Sequence, residues 1–112
     1  MKKIEIKSFF EEYESVNELN AEEKNLVEHA SAAAKNAYAP YSEFKVGAAV
    51  LLENGKKICG NNQENIAFPS GLCAERVAVF SASAQFPSVP VKSIAIVCSS
   101  DKIKVEKPLS PC

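Results

Sequence analysis

The chain has 112 residues, of which 46% are hydrophobic and 24% charged, and its formal net charge is −1. These values are typical of one soluble globular domain and exclude the strongly basic surface of a nucleic-acid-binding protein. No apolar run approaches the roughly 20 residues that cross a membrane. Because the charged start MKKIEIK also differs from a signal peptide, we expect a cytoplasmic protein.

The first 20 residues are predicted to be an N-terminal extension, and residues 21–112 to be the folded domain. Within the extension, Ile4 and Ile6 alternate with charged residues, so this segment could form an edge strand. The acidic stretch that follows is typical of an exposed surface.

A helix is predicted to begin after Asn20, because a polar cap followed three residues later by Glu23 matches the capping-box pattern. Pro40 is expected to end this helix. The apolar stripe of the helix is made of small residues, which would allow close packing against a sheet or another helix. It consists of Leu26, Val27, Ala30, Ala33, Ala34 and Ala37.

The segment FKVGAAVLLENGKKICGNN predicts a β-hairpin, because two apolar runs flank the turn dipeptide Asn54-Gly55. Gly47 within the first strand indicates that another backbone or a ligand approaches closely. Cys59 in the second strand is expected to be a small buried side chain, and so is Cys98 further along the chain.

A second helix is predicted to start near Cys73, with an inward face formed by Val77, Ala78, Phe80 and Ala84. The β-branched run VKSIAIVCSS then predicts a buried strand. Strand–helix–strand order is typical of a crossover, so the two outer strands are expected to pair in parallel in one sheet. The whole pattern predicts an α/β sandwich.

Two thiols and a carboxylate form the candidate chemical group of the chain. Cys73 and Cys112 each lie at a predicted helix start, where the helix dipole favours a thiolate, and thiolates bind zinc. Glu75 follows Cys73 on the same helical turn, so it can point at a water molecule on the metal without being a ligand. Each residue alone would suggest a buried thiol or a solvated carboxylate, and their joint order favours a site.

Four motifs in chain order resemble the homotetrameric, three-cysteine class of cytidine deaminases: AYAPYSEFKVGAAVLLENG, GNNQEN, GLCAERVAVF and SPC. They cover residues 37 to 112. The resemblance implies a cytidine deaminase-like α/β/α sandwich with a mixed central sheet, truncated at its C-terminal strands and helices. It also implies one Zn²⁺ per subunit and a homotetramer or homodimer that acts on a small nucleoside.

The resemblance further implies roles for individual residues. Cys73 and Cys112 would be zinc ligands, and a third ligand is expected three residues beyond Cys112. Glu75 would shuttle protons, and Arg76 would donate hydrogen bonds to the thiolates and offset their negative charge. The implied substrate contacts are Phe44 against the pyrimidine ring, Asn62 and Glu64 at the ribose hydroxyls, and Ala74 at the base edge.

The implied reaction is the hydrolytic deamination of cytidine and deoxycytidine to uridine and deoxyuridine plus ammonia, a step of pyrimidine salvage. Because catalytic zinc usually has three protein ligands, we expect the printed chain alone to bind zinc weakly and to be inactive. Two alternatives stay open: a deaminase of another cytosine-like substrate, such as blasticidin S, and a non-catalytic module whose zinc is structural. Neither a nucleic-acid polymer nor a membrane is an expected partner.

Overall fold

The computed structural model describes residues 1–100 of the chain, and the predicted ligand Cys112 lies outside them. The elements in chain order are a 3-10 turn Val16–Glu18, helix α1 Ala21–Ala34, strands β1 Phe44–Leu52 and β2 Lys57–Asn61, a 3-10 turn Phe68–Ser70, helix α2 Ala74–Gln85 and strand β3 Val91–Ser100. In the part of the chain that the structure describes, no helix is long and apolar enough to cross a membrane.

The N-terminal segment does not form the edge strand that its alternation predicted. Residues 1–13 have no regular secondary structure, and the side chains of Ile4, Ile6, Phe9 and Phe10 are exposed. A strand needs a neighbouring edge that pairs with its backbone N–H and C=O groups, and alternation of side chains does not supply one.

Helix α1 begins where the sequence predicted, because the Asn20 side chain accepts a hydrogen bond from the Glu23 backbone N–H at 2.8 Å. The helix ends at Ala34 and not near Pro40. Beyond its end the backbone tightens, since the Ala37 N–H donates to the Ala34 carbonyl at 3.1 Å, three residues back. A loop of residues 35–43 is thereby left to connect α1 with β1.

The three strands form one sheet in the order β2–β1–β3, and β1 is antiparallel to both neighbours. The hairpin turn between β1 and β2 is confirmed at Gly55, which has φ +84°. β2 and β3 therefore run in the same direction, but the predicted pairing between them is wrong because the crossover through α2 passes over β1. All strand pairs within residues 1–100 are antiparallel, where a mixed sheet was expected.

Strand β1 is buried on both faces, which explains its almost continuous apolar sequence. Its even-numbered side chains pack against α2, and its odd-numbered side chains pack against α1. The first cluster comprises Ala48, Val50, Leu52, Ala74, Ala78 and Ala82, and the second comprises Leu26, Ala30, Ala49 and Leu51. The two helices therefore cover opposite faces of the sheet, and the predicted α/β/α sandwich is confirmed.

Two glycines let the helices lie directly on the strand backbones. A Cβ atom on Gly47 would lie 2.0 Å from the Ala30 carbonyl oxygen in α1, and one on Gly60 would lie 2.5 Å from the Ala78 backbone nitrogen in α2. Real Cβ atoms do not come this close to other heavy atoms, so neither position accepts a side chain in this arrangement. The close approach predicted at Gly47 is confirmed, and its neighbour is a helix backbone.

The close approach at Gly60 also selects the face that α2 buries. Ala74, Ala78 and Ala82 are spaced by one helical turn and are fully or almost fully buried. The predicted inward face is right at Ala78 and wrong at Phe80 and Ala84, whose side chains are exposed. A large aromatic ring does not fit between two backbones in contact, so the small residues turn inward.

The two cysteines predicted as small core residues are less buried than expected. Cys59 is exposed on the face of β2 that α1 covers, with its Sγ 3.9 Å from the His29 carbonyl oxygen, and Cys98 on β3 is half-buried. Partial desolvation raises the pKa of the Cys59 thiol. β2 is an outer strand in the described sheet, so its side chains are covered on fewer sides than those of β1.

Candidate active site

The N-terminus of α2 points toward the end of the sheet where β1 begins and where β2 and β3 end. The first turns of α2 lie over Gly60, near the end of β2, whereas Ala82 packs near Leu52 at the opposite end of β1. The first backbone N–H groups of a helix have no partner within the helix, and the helix dipole is positive there. This end of the molecule therefore favours an anionic group such as a thiolate or a carboxylate.

Cys73 occupies the position immediately before α2, as its N-cap residue. Its backbone is extended, with φ −77° and ψ 159°, and its side chain makes no capping hydrogen bond. The thiol is free of any disulfide and half-buried. Its sulfur therefore lies at the helix N-terminus and makes no hydrogen bond to the helix backbone.

A cleft of about 800 Å³ opens beside Cys73. Four of the predicted site residues line it, namely Asn62, Glu64, Cys73 and Arg76. The remaining wall comes from Tyr41 and Ser42 before β1 and from the loop between β2 and α2, which includes Ile66, Phe68 and Leu72. The cleft therefore combines amide, carboxylate, thiol and guanidinium groups with apolar side chains.

The Asn62 side chain makes the hydrogen bonds to the start of β1 that the backbone of a neighbouring strand would otherwise make. Its Oδ1 accepts a hydrogen bond from the Val46 N–H at 2.8 Å, and its Nδ2 donates to the Phe44 carbonyl at 2.9 Å. A side-chain amide has two donor hydrogens and two acceptor lone pairs. Half of the hydrogen-bonding capacity of Asn62 therefore remains for another group.

The Glu64 carboxylate is held by the loop before β1. Oε1 accepts hydrogen bonds from the backbone N–H groups of Tyr41 at 3.0 Å and Ser42 at 3.1 Å, and Oε2 accepts one from the Ser42 hydroxyl. The Ser42 hydroxyl contributes most to lowering the pKa of Glu64; desolvation opposes this, and the two backbone hydrogen bonds reinforce it. We call this group, formed by Glu64, Tyr41 and Ser42, the Glu64 clasp.

Three predicted site residues lie near the cleft without lining it. Ala74 is fully buried against the sheet, and its backbone is buried together with its methyl group. Phe44 is half-buried at the start of β1, on the face that α2 covers, and Glu75 is half-buried in the first turn of α2. The structure thus brings the predicted site residues within 1–100 to one end of the sheet, and four of them line the cleft.

Cys73 fits one position of a zinc site, because a thiol at a helix N-terminus is a suitable soft ligand. Within residues 1–100, no group of three or more His, Cys, Asp and Glu side chains is placed to hold a metal ion. The second predicted thiol, Cys112, lies outside the described residues. Ser100, the last described residue of β3, pairs with Phe44 at the end of the sheet where Cys73 lies.

Tyr41 and Ser42, which line the cleft and hold Glu64, were not among the site residues predicted from the sequence. The available signal was the polar pair directly before Phe44 in the segment YSEF. A short polar side chain two residues before a strand often bonds to the backbone of that strand, and this rule would have singled out Ser42.

The comparisons with known proteins agree with this arrangement. The family model for the cytidine and deoxycytidylate deaminase zinc-binding region matches residues 20–112. The chain belongs to the cytidine and deoxycytidylate deaminase family. The predicted resemblance is therefore confirmed at the level of the family, and the family is a zinc-binding one.

Individual members of the family are similar to the chain over most of its length. It is 39% identical over 87 residues to a cytidine deaminase of Halalkalibacterium halodurans, which covers 78% of the chain, and 39% identical over 89 residues to one of Sporosarcina psychrophila, which covers 80%. The crystal structure of cytidine deaminase from Burkholderia pseudomallei matches with a TM-score of 0.68 and 43% identity. The match covers 79% of this chain and 66% of the Burkholderia chain. The chain spans 61% of the length of the two curated relatives.

Proposed function

We propose that the whole protein catalyses the zinc-dependent hydrolytic deamination of cytidine and deoxycytidine, giving uridine or deoxyuridine and ammonia. The observation that carries this proposal is the position of Cys73 at the N-terminus of α2, beside a cleft that Asn62, Glu64 and Arg76 line. Membership of the deaminase family and the names of the curated relatives support the same reaction.

The reaction requires a nucleophile, a proton carrier and a binding site for the nucleoside. Zinc held by Cys73 and Cys112 would supply a water molecule that is acidic enough to lose a proton near neutral pH. Glu75 accepts that proton as oxygen adds to C4 of the cytosine ring, delivers it to ring N3, and then assists the departure of ammonia. Water and cytidine thus give uridine and ammonia, with no other reactant.

The groups around the cleft suit a nucleoside. In this proposal Phe44 packs against the pyrimidine ring, and the backbone and side chains near Ala74 and Glu75 contact the base edge. Asn62 and Glu64 use their remaining hydrogen-bonding capacity at the ribose hydroxyls. Arg76 lies one turn after Cys73, from where its guanidinium can donate hydrogen bonds to the thiolate.

The sharpest test of this proposal is Glu75→Gln in the whole protein. Loss of the proton carrier should lower ammonia release from cytidine by about 10³-fold, while metal analysis finds the same zinc content as in the unsubstituted protein. Glu28→Gln, an exposed position on α1, is the matched control and should leave the rate unchanged. Full activity of Glu75→Gln, or no turnover of cytidine or deoxycytidine at any zinc loading, would contradict the proposal.

Assays on the same purified protein distinguish the two alternative functions. Turnover of blasticidin S in preference to cytidine would assign a related deaminase, whereas the polar pair Asn62 and Glu64 favours a nucleoside with its sugar hydroxyls. Zinc with four protein ligands and no turnover would indicate a non-catalytic module. A homotetramer or homodimer, a place in pyrimidine salvage, a cytoplasmic location and the inactivity of the printed chain alone stay predictions.

A further inference from the structure

The loop before β1 contains a backbone conformation that needs external support. Glu43 has φ +56°, in the left-handed region, which is unfavourable for a residue that has a side chain. Its N–H donates to the Ala39 carbonyl at 3.0 Å. The residues on either side of Glu43, Ser42 and Phe44, must therefore be held in place by further contacts.

The Ser42 hydroxyl supplies two of these contacts at once. It donates a hydrogen bond to Oε2 of Glu64, and its oxygen accepts a hydrogen bond from the Phe44 N–H at 3.1 Å. The Phe44 carbonyl is held in turn by Nδ2 of Asn62 at 2.9 Å. Side chains thus bind both backbone polar groups of Phe44, and one hydroxyl connects that backbone with the Glu64 carboxylate.

We propose that Ser42 is a positioning residue, whose hydroxyl fixes the Phe44 backbone relative to the Glu64 carboxylate and so sets the spacing between the base and sugar contacts of the nucleoside site. The inference rests on the proposed function, because it assigns Phe44 to the pyrimidine and Glu64 to the ribose. Ser42 itself bonds to Glu64 and to the Phe44 backbone, and so acts on the substrate through them.

The connection has a defined chemical requirement. An ionised carboxylate only accepts hydrogen bonds and a backbone N–H only donates them, so the hydroxyl proton of Ser42 must point at Glu64. The Ser42 oxygen then has its lone pairs free for the Phe44 N–H. Alanine at this position removes both bonds, whereas threonine retains a hydroxyl that can make them.

The test compares Ser42→Ala with Ser42→Thr in the whole protein, with Ser31→Ala on the exposed surface of α1 as the matched control. Ser42→Ala should raise the KM for cytidine and the Kd for the product uridine by about tenfold, as expected for loss of a hydrogen bond to a charged group, and should change kcat much less. Ser42→Thr should restore both values, and Ser31→Ala should change neither.

Amide hydrogen exchange at Phe44 provides a readout that does not depend on turnover. Ser42→Ala should speed this exchange, while the exchange of amides in the middle of β1 stays as it was. Unchanged exchange at Phe44, or faster exchange with unaltered KM and Kd, would overturn the inference. If the unsubstituted protein neither binds uridine nor turns over cytidine, the proposed function fails, and the exchange rates alone decide whether Ser42 holds the loop.

Discussion

The two faces of the sheet are packed in the same way but have different roles. On one face Gly47 admits the backbone of α1, and on the other Gly60 admits the backbone of α2. Both helices meet the sheet with buried alanines spaced by one turn. Only α2 begins at a cleft-lining cysteine, so tight packing serves stability on the first face and also positions a candidate metal ligand on the second.

Alanine at either glycine should destabilise the fold more than any other single change at the sheet or the cleft. Gly47→Ala and Gly60→Ala place a methyl group against a helix backbone that cannot move alone, so each should lower the free energy of unfolding by about 3 kcal/mol or more. Gly47→Ala should be the worse of the two, because its nearest atom is 2.0 Å away, against 2.5 Å for Gly60. Urea unfolding of the unsubstituted protein and of the two variants measures the order of their stabilities.

The same two substitutions, Gly47→Ala and Gly60→Ala, distinguish the roles of the two faces. Gly60→Ala displaces the first turns of α2, so native-state alkylation of Cys73 should change, whereas Gly47→Ala should leave that rate closer to the original. Gly55→Ala is the control, because φ +84° with no atom within 4 Å of the added Cβ costs only about 1 kcal/mol of backbone strain. Equal alkylation of Cys73 in all variants would show that Gly60 has no special link to the cleft.

Local signals in the sequence predicted both helices and all three strands of the described sheet, although they also predicted an edge strand at Ile4 and Ile6 that does not form. They did not predict how the strands pair. Asn20 and Gly55 act on their own neighbourhoods, through a cap and a left-handed turn, and both predictions are confirmed. The position of β1 between β2 and β3 depends on which strand edges meet after α2 crosses the sheet, and no local pattern encodes that choice. The prediction that Phe80 faces inward is wrong, because the close contact between α2 and Gly60 leaves room only for small side chains.

The candidate site shows the same division between local and long-range information. The placement of Cys73 at a helix start follows from its own segment, and it is confirmed. The hydrogen bonds of Glu64 reach back over more than twenty residues to Ser42, and a contact across that sequence distance has no periodic signature. The roles of the predicted substrate residues stay predictions.

A fall in pH should moderately weaken the hydrogen bonds that hold the loop at the cleft, and it should leave the packing of α1 on the sheet unchanged. The pKa of Glu64 is lowered from its ordinary value of 4.5 in the folded protein, chiefly by the Ser42 hydroxyl. A group whose pKa is lower in the folded state stabilises that state above its unfolded pKa and loses this contribution as the pH falls through the folded value. The Glu64 clasp should therefore open only below the ordinary range for a glutamate.

Amide exchange at Tyr41 and Ser42, followed downward from neutral pH after correction for the intrinsic rate, measures this opening. Protection should persist through pH 4.5, the ordinary glutamate value, and decline below it. In Glu64→Gln the protection should be weaker at neutral pH and should lose this pH dependence. Loss of protection well above the ordinary value in the unsubstituted protein would mean that the carboxylate is not the group that holds the loop.

The smallest effect should come from the ion pair that joins α1 to β3. Lys92 Nζ lies 3.1 Å from a carboxylate oxygen of Glu22, but both side chains are about half exposed, at 49% and 53%. Water and salt screen such a pair, so Lys92→Met should change the free energy of unfolding by less than about 0.5 kcal/mol. A double-mutant cycle with Glu22→Gln, at low and high salt, isolates the pair from the separate effects of each substitution. A coupling energy several times larger would mean that charge, as well as the backbone contact at Gly47, holds α1 on its face of the sheet.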